Sequence, residues 1–211
     1  GNLFITALTK ELGSFEKAIE EAGKILNIRG EVIPSTLDDC NLCAELENGK
    51  VIKGEANIDE PKHDGNLSVE KVWLDPQCKA NPKALNAIKK ANLIIMGPGD
   101  LYTSILPNFL VQGMIQAVNK SRAKKVYVCN LMTKFGETHT FTVKDFVETL
   151  EGYIGEGNLT HVIVNKAQPS IDRVKKYEEE HAESVYYDKK DFRGKRFKII
   201  EADVLRSRGF I

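Results

Sequence analysis

The chain has 211 residues, 42% hydrophobic and 28% charged, with Lys plus Arg equal to Asp plus Glu at 30 each. That composition supports a packed core without disulfides or metal and excludes a disordered chain. The balanced charge gives no bulk attraction to nucleic acid or anionic membrane. No apolar run approaches the ~20 residues that span a bilayer, and no secretory leader is visible. The expectation is a soluble, cytoplasmic domain over residues 1–211 that neither binds nucleic acid nor inserts into a membrane. Residue 1 is Gly and stands in a helical pattern, so the chain is expected to begin inside a longer protein.

Leu3, Ile5, Ala7, Leu8 and Leu12 recur at helical spacing. Gly13 is a natural stop, and Ser14 can cap a second helix over 15–26 with Phe15, Ile19, Ala22 and Leu26 as its buried stripe. The pattern then turns to β. A short strand is expected at 31–34. A hairpin is expected over 42–47 and 50–55, because Asn48-Gly49 between alternating runs suits a tight turn. Residues 59–67 are charged and read as an exposed loop, and 69–74 as a further strand. Residues 31–74 thus form a β-rich insertion.

Strands and helices then alternate. Asn81-Pro82 opens a helix to 91, and 93–96 is an apolar strand. A helix over 107–119, a strand at 125–129 and a helix from Thr142, with Asp145 in capping-box position, follow. A strand at 161–165, a charged helix at 170–182 and a strand at 197–202 close the pattern. The fold class is α/β, a three-layer Rossmann-like parallel sheet with the hairpin insertion.

The densest chemistry lies at 93–108. A buried strand runs into Gly97-Pro98-Gly99-Asp100, then Thr103-Ser104, then a helix with Pro107 in its first turn. Glycines admit close approach of backbone amides, a helix start offers free N–H groups, and the carboxyl end of a parallel strand is where α/β sheets bind ligands. The stretch is neither a Walker A loop nor a dinucleotide fingerprint. The same residues also suit a tight strand-to-helix turn that needs only glycine. A second candidate follows the next strand: Asn130 to read a base or sugar, Thr133 or Thr138 for phosphate, against an ordinary connecting loop.

Other residues carry less. Cys40 and Cys43 form a C-x-x-C pair on a strand-like run and read as reduced structural thiols, as do Cys78 and Cys129. His63, His139, His161 and His181 lack ligand spacing, and adjacent Asp38 and Asp39 face opposite ways on a strand. Arg206 and Arg208 could contact phosphate, or form a solvated face.

The order of Gly1-Asn2-Leu3, the 32–36 run VIPST, the 54–58 run GEANI, GPGDLYTSILPN at 97–108 and VCNLMTKFGET at 128–138 resembles YvcK-like proteins of the wider CofD-like family. The resemblance covers essentially the whole chain. It implies a cytoplasmic gluconeogenesis factor that binds UDP-sugars such as UDP-N-acetylglucosamine and supports cell-wall and cell-shape homeostasis. The alternative is a CofD-like transferase moving a phospholactyl-type group from a GDP-linked donor to a deazaflavin, with magnesium, in coenzyme F420 synthesis. In either case the partner is a nucleotide-linked small molecule, and a homo-oligomer is compatible with both.

Carried over residue by residue, the resemblance implies a pocket formed by Asn2, by Gly97, Pro98, Gly99, Asp100, Thr103 and Ser104, and by Asn130 and Thr133. It also implies a glycine-rich strand–loop and an acidic segment upstream of Gly1, and a His-Asp motif beyond Ile211. Phe135 stands where the family commonly has proline.

Overall fold

The structure, a computed structural model, describes residues 1–167 and 169–205. Helices α1 (Asn2–Leu12) and α2 (Phe15–Ile25) form a hairpin. Gly13 ends α1 in the left-handed conformation, φ 65°, and the Ser14 hydroxyl caps α2 by accepting from the Lys17 amide. Helix α1 buries none of its side chains.

The expected strand at 31–34 does not form. Pro34 has no N–H to give a ladder, and the nearest pairing is an isolated bridge just beyond the segment, Thr36 to Ala80. Strands β1 (Asn41–Leu46) and β2 (Val51–Lys53) form the expected hairpin, with Gly49 at φ 78°. The short helix α3 (Glu55–Asp59) replaces the end of the expected second strand. Strand β3 (Val69–Asp75) completes an antiparallel sheet in the order β2-β1-β3. The loop after α3 exposes Glu60, Lys62, Asp64 and Asn66, while Gly65 is buried beneath the Phe135 ring and Pro61 lies against Gly136.

The C-x-x-C spacing is not a site. Cys43 is buried on β1, while the Cys40 thiol lies 3.2 Å from that of Cys78. Burial and the Cys78 thiol push Cys40 up to about 11, so it stays protonated.

Helix α4 (Pro82–Lys90) starts where the Asn-Pro signal places it. Asn81 is 3% exposed; its Oδ1 accepts from the Lys83 amide and its Nδ2 donates to Glu16, tying α4 to α2. We expect Asn81→Ala to lower unfolding free energy by about 1–2 kcal/mol, through loss of the cap and of the Glu16 contact. Urea denaturation checks this, and a loss below a few tenths would show the cap to be dispensable.

Strands β4 (Leu93–Met96), β5 (Lys124–Val128), β6 (His161–Asn165) and β7 (Lys198–Ala202) form a parallel sheet in sequential order. The expected helix at 107–119 is divided. One turn of π-helix, Leu101–Ile105, runs into α5 (Leu106–Leu110), and α6 (Met114–Lys120) follows a break. The break has a cause outside the segment. The backbone of Gln112 leaves the helix to exchange hydrogen bonds with Cys78 and Ala80, and Gly113 at φ 98° restarts it. Helix α7 (Val143–Ile154) carries the full capping box of Thr142 and Asp145. Helix α8 (Ile171–Glu178) lies between β6 and β7 in the chain.

Register sorts the sheet into two faces. Met96, Tyr127, Val162 and Val164 point into the main core with Phe146, Val147 and Leu150 of α7. On the other face Leu93, Ile95 and Ile200 are 52%, 58% and 42% exposed. The insertion joins the core through β3: the Val72 amide donates to the Tyr153 hydroxyl, and the Tyr102 hydroxyl donates to the Val69 carbonyl. No helix among the described residues is long and apolar enough to cross a membrane.

Candidate functional site

Parallel pairing of β4 with β5, Met96 beside Tyr127, brings the turn at Gly97 and the segment from Asn130 to one edge of the sheet. Gly97 has φ 84°, open to glycine and costly for any other residue. The chain then bends so that the Asp100 carbonyl accepts from the amides of both Ser104 and Ile105. Those two amides are therefore committed to the turn. The amides of Gly99 and Asp100 donate to nothing among the described residues.

A groove of about 450 Å³ runs along the free edge of β4. One end is polar, formed by Gly97, Pro98, Ser104, Ser35 and Asn108; the rest is lined by apolar groups such as Ile33, Ile88, Ile94 and Phe109. Ser104 is exposed. The Ser35 hydroxyl donates to Asn108 Oδ1 at 2.5 Å, and Asn108 Nδ2 donates to the Ser104 carbonyl. Ser35 stands in the VIPST run at 32–36, but nothing in that run pointed to Asn108, 73 residues away.

The expected residues divide. Gly97, Pro98, Gly99, Asp100 and Ser104 share one turn. Thr103 is in it but is 8% exposed, and its hydroxyl is engaged with Glu137 at 3.1 Å. Thr133 is 5% exposed; its hydroxyl accepts from the Glu183 amide, and its own amide donates to the Glu183 carbonyl. Both threonines are thus held by the protein itself. Asn130 is the opposite case: its Oδ1 is buried with no partner. Asn2 sits on exposed α1, which packs on α2, and it does not line the groove. Arg206 and Arg208 lie outside the described residues.

The charged residues beneath the turn form a cluster that sequence reading did not assemble. Lys134 Nζ stands 2.9 Å from Asp100 Oδ2 and 3.1 Å from Glu137 Oε1, and it also bonds Asp59 of α3. Glu137 is buried, and that burial, with Asp100 beside it, raises its pKa to about 7 although Lys134 and Thr103 pull the other way. For Lys134 burial opposes the charge, but the Asp59 and Asp100 carboxylates outweigh it and raise the pKa. Lys134 and Glu137 at i,i+3 in one motif were the only sequence signal; Asp59 offered none.

Magnesium, expected for the transferase alternative, has a test here. Oxygens of Asp59, Asp100 and Glu137 lie within 4.8 Å of one another, close enough to share a hard cation. The Lys134 ammonium already stands among them, so the arrangement does not fit a magnesium ion as it is built. Phe135, in the same loop, packs edge-on to His139 with ring centroids 5.9 Å apart and tilted to His181 at 5.1 Å.

The family model described as 2-phospho-L-lactate transferase CofD matches residues 1–205. The chain belongs to the CofD family. Among CofD-family relatives it is 49% identical over 189 residues to a protein of Aquifex aeolicus, covering 89% of this chain and 57% of that one. It is 38% identical over 206 residues to the gluconeogenesis factor of Bacillus subtilis, covering 97% of this chain and 64% of that one. A crystal structure of a UPF0052-family protein from Bacillus halodurans superposes with a TM-score of 0.89 at 35% identity, covering 96% of this chain and 65% of that one. This CofD-family chain therefore spans about two thirds or less of the length of these relatives.

Proposed function

We propose that this chain forms the phosphate-side wall of a nucleotide-sugar site, in a gluconeogenesis factor that senses a UDP-N-acetylglucosamine-type ligand and acts in cell-wall and cell-shape homeostasis. One observation carries the reading: the segments that follow the parallel strands β4 and β5 leave the same edge of the sheet, and each carries polar groups without a partner. The free amides of Gly99 and Asp100 and the exposed Ser104 hydroxyl suit phosphate oxygens, and Asn130 Oδ1 suits a base N–H or ribose hydroxyl. A buried acceptor without a partner costs ~1–3 kcal/mol, which a ligand donor would recover. The name of the Bacillus subtilis relative, gluconeogenesis factor, supports the gluconeogenesis part of this reading alone.

The description of the family model favours a second reading, a transferase using a GDP-linked donor. Calorimetric titration of the natural full-length protein with UDP-N-acetylglucosamine and with a GDP-linked analogue separates the two. For the first reading, UDP-N-acetylglucosamine binds, and Ser104→Ala and Asn130→Ala each weaken it about 5- to 10-fold, one lost hydrogen bond apiece. Thermal unfolding should stay near wild type for Ser104→Ala. Binding of the GDP-linked compound alone would transfer the conclusion to the second reading.

A further inference from the structure

The turn that presents the ligand-facing groups is held by a charge cluster with an unusual centre. Three carboxylates from distant parts of the chain converge: Asp59 from α3, Asp100 from the turn after β4, and Glu137 from the segment after β5. Their oxygens are spaced as the ligands of a hard divalent cation are spaced. Yet the cation among them is the side chain of Lys134, which bonds all three. The four groups leave a net excess of two negative charges with Glu137 ionised and of one with it protonated. Asp100 and Thr103 carry the connection to the ligand turn: Asp100 through Lys134, Thr103 through its hydrogen bond to buried Glu137. Asp59 extends it to the insertion.

We propose that Lys134 is a positioning residue whose ammonium takes the place of a divalent metal, locking the 97–104 turn against α3 so that ligand binding needs no metal ion. The inference rests on the reading of that turn as the ligand wall. Its geometric core, a lysine seated among three carboxylates, can be tested without any ligand. An ammonium serves this role well because it is covalently tethered and needs no recruitment from solution. It also donates hydrogen bonds to Asp59 and Asp100 while it pairs with Glu137 at 3.1 Å. Without it, the Asp59 and Asp100 carboxylates would face each other beside buried Glu137 with no cation between them, and the turn would lose its tie to α3.

The test uses the natural full-length protein and Lys134→Met, which keeps an unbranched side chain one atom shorter and removes its charge. Thermal unfolding is measured in EDTA, in 5 mM Mg²⁺ or Mn²⁺, and in NaCl matched for ionic strength. The wild type should be indifferent to the divalent ions beyond the NaCl control. Lys134→Met should melt lower in EDTA and regain at least half of the loss with Mg²⁺ or Mn²⁺ but not with NaCl. The Lys134→Met/Glu137→Gln double variant should lose that metal response. For UDP-N-acetylglucosamine, wild-type affinity should be the same in EDTA and Mg²⁺, and Lys134→Met should bind at least 10-fold more weakly in EDTA.

If Lys134→Met does not fold, Asp59→Asn, which removes one rim carboxylate, should weaken binding about 3-fold with no metal response. Wild-type binding or stability that EDTA abolishes would overturn the proposal, as would a Lys134→Met protein that matches the wild type in EDTA. A metal response confined to Lys134→Met, in a protein that binds no UDP-sugar, would keep the lysine clamp and remove the assigned ligand.

Discussion

Gly97→Ala should cost about 3 kcal/mol of stability, a large share of the ~5–15 kcal/mol of a typical domain. Two effects add. At φ 84° an L-residue is disfavoured by roughly 1–2 kcal/mol. The new Cβ would also stand 2.9 Å from the Val128 carbonyl oxygen and 3.2 Å from Ile105 Cδ1. The isoleucine tip can turn aside, but the carbonyl cannot. Val128 is held in register with Ile163, and β4 is paired to β5 up to Met96 beside Tyr127. Urea unfolding followed by circular dichroism measures the loss; a cost below 1 kcal/mol would show that the turn relaxes freely. The result bears on function. Packing alone demands glycine at 97, so lost binding in a bulkier Gly97→Val protein would report a damaged fold before it reported a phosphate contact.

Stability should fall as pH rises from about 4.5 to 7, and Glu137 should be the cause. Its carboxyl is raised from the ordinary 4.5 to about 7, first by burial and then by Asp100. The folded state therefore holds a proton that the unfolded chain has released. Within that window the folded state binds more protons, so each pH unit removes up to about 1.4 kcal/mol. Below about 4.5 both states are protonated, and above about 7 the loss is complete. Glu137→Gln keeps an acceptor for the Thr103 hydroxyl and removes the titration. The wild-type curve from pH 4.5 to 8 should therefore descend relative to that of the variant by on the order of 3 kcal/mol. Parallel curves would show that Glu137 stays ionised against Lys134 throughout.

The exposed apolar face of the parallel sheet has a plain physical meaning. Parallel sheets are ordinarily covered on both faces. Leu93, Ile95 and Ile200 are each exposed by two fifths or more of their surface on one face, whereas Tyr127 and Val162 are fully buried on the other.

Local chemistry settled much of this fold before any contact was known. Asn81-Pro82 specified the start of α4, Thr142 with Asp145 the start of α7, and Asn48-Gly49 the β1–β2 hairpin, because caps and turns are satisfied by residues two or three apart. Strands β4 and β6 were legible to the residue, since short apolar runs between helical patterns admit few other readings. The turn at Gly97 was legible for the same reason, as glycine at a strand end is a local signal. What the sequence could not determine was decided by partners far along the chain. Cys78 and Ala80 drew Gln112 out of its helix. Thr103 and Thr133, read as ligand hydroxyls, found partners in Glu137 and Glu183, 34 and 50 residues away. Asp59 reached Lys134 across 75 residues. Tertiary packing alone brings such groups within reach, and it decided which polar side chains are spent on the protein and which, like Asn130 with its buried Oδ1, are left without a partner.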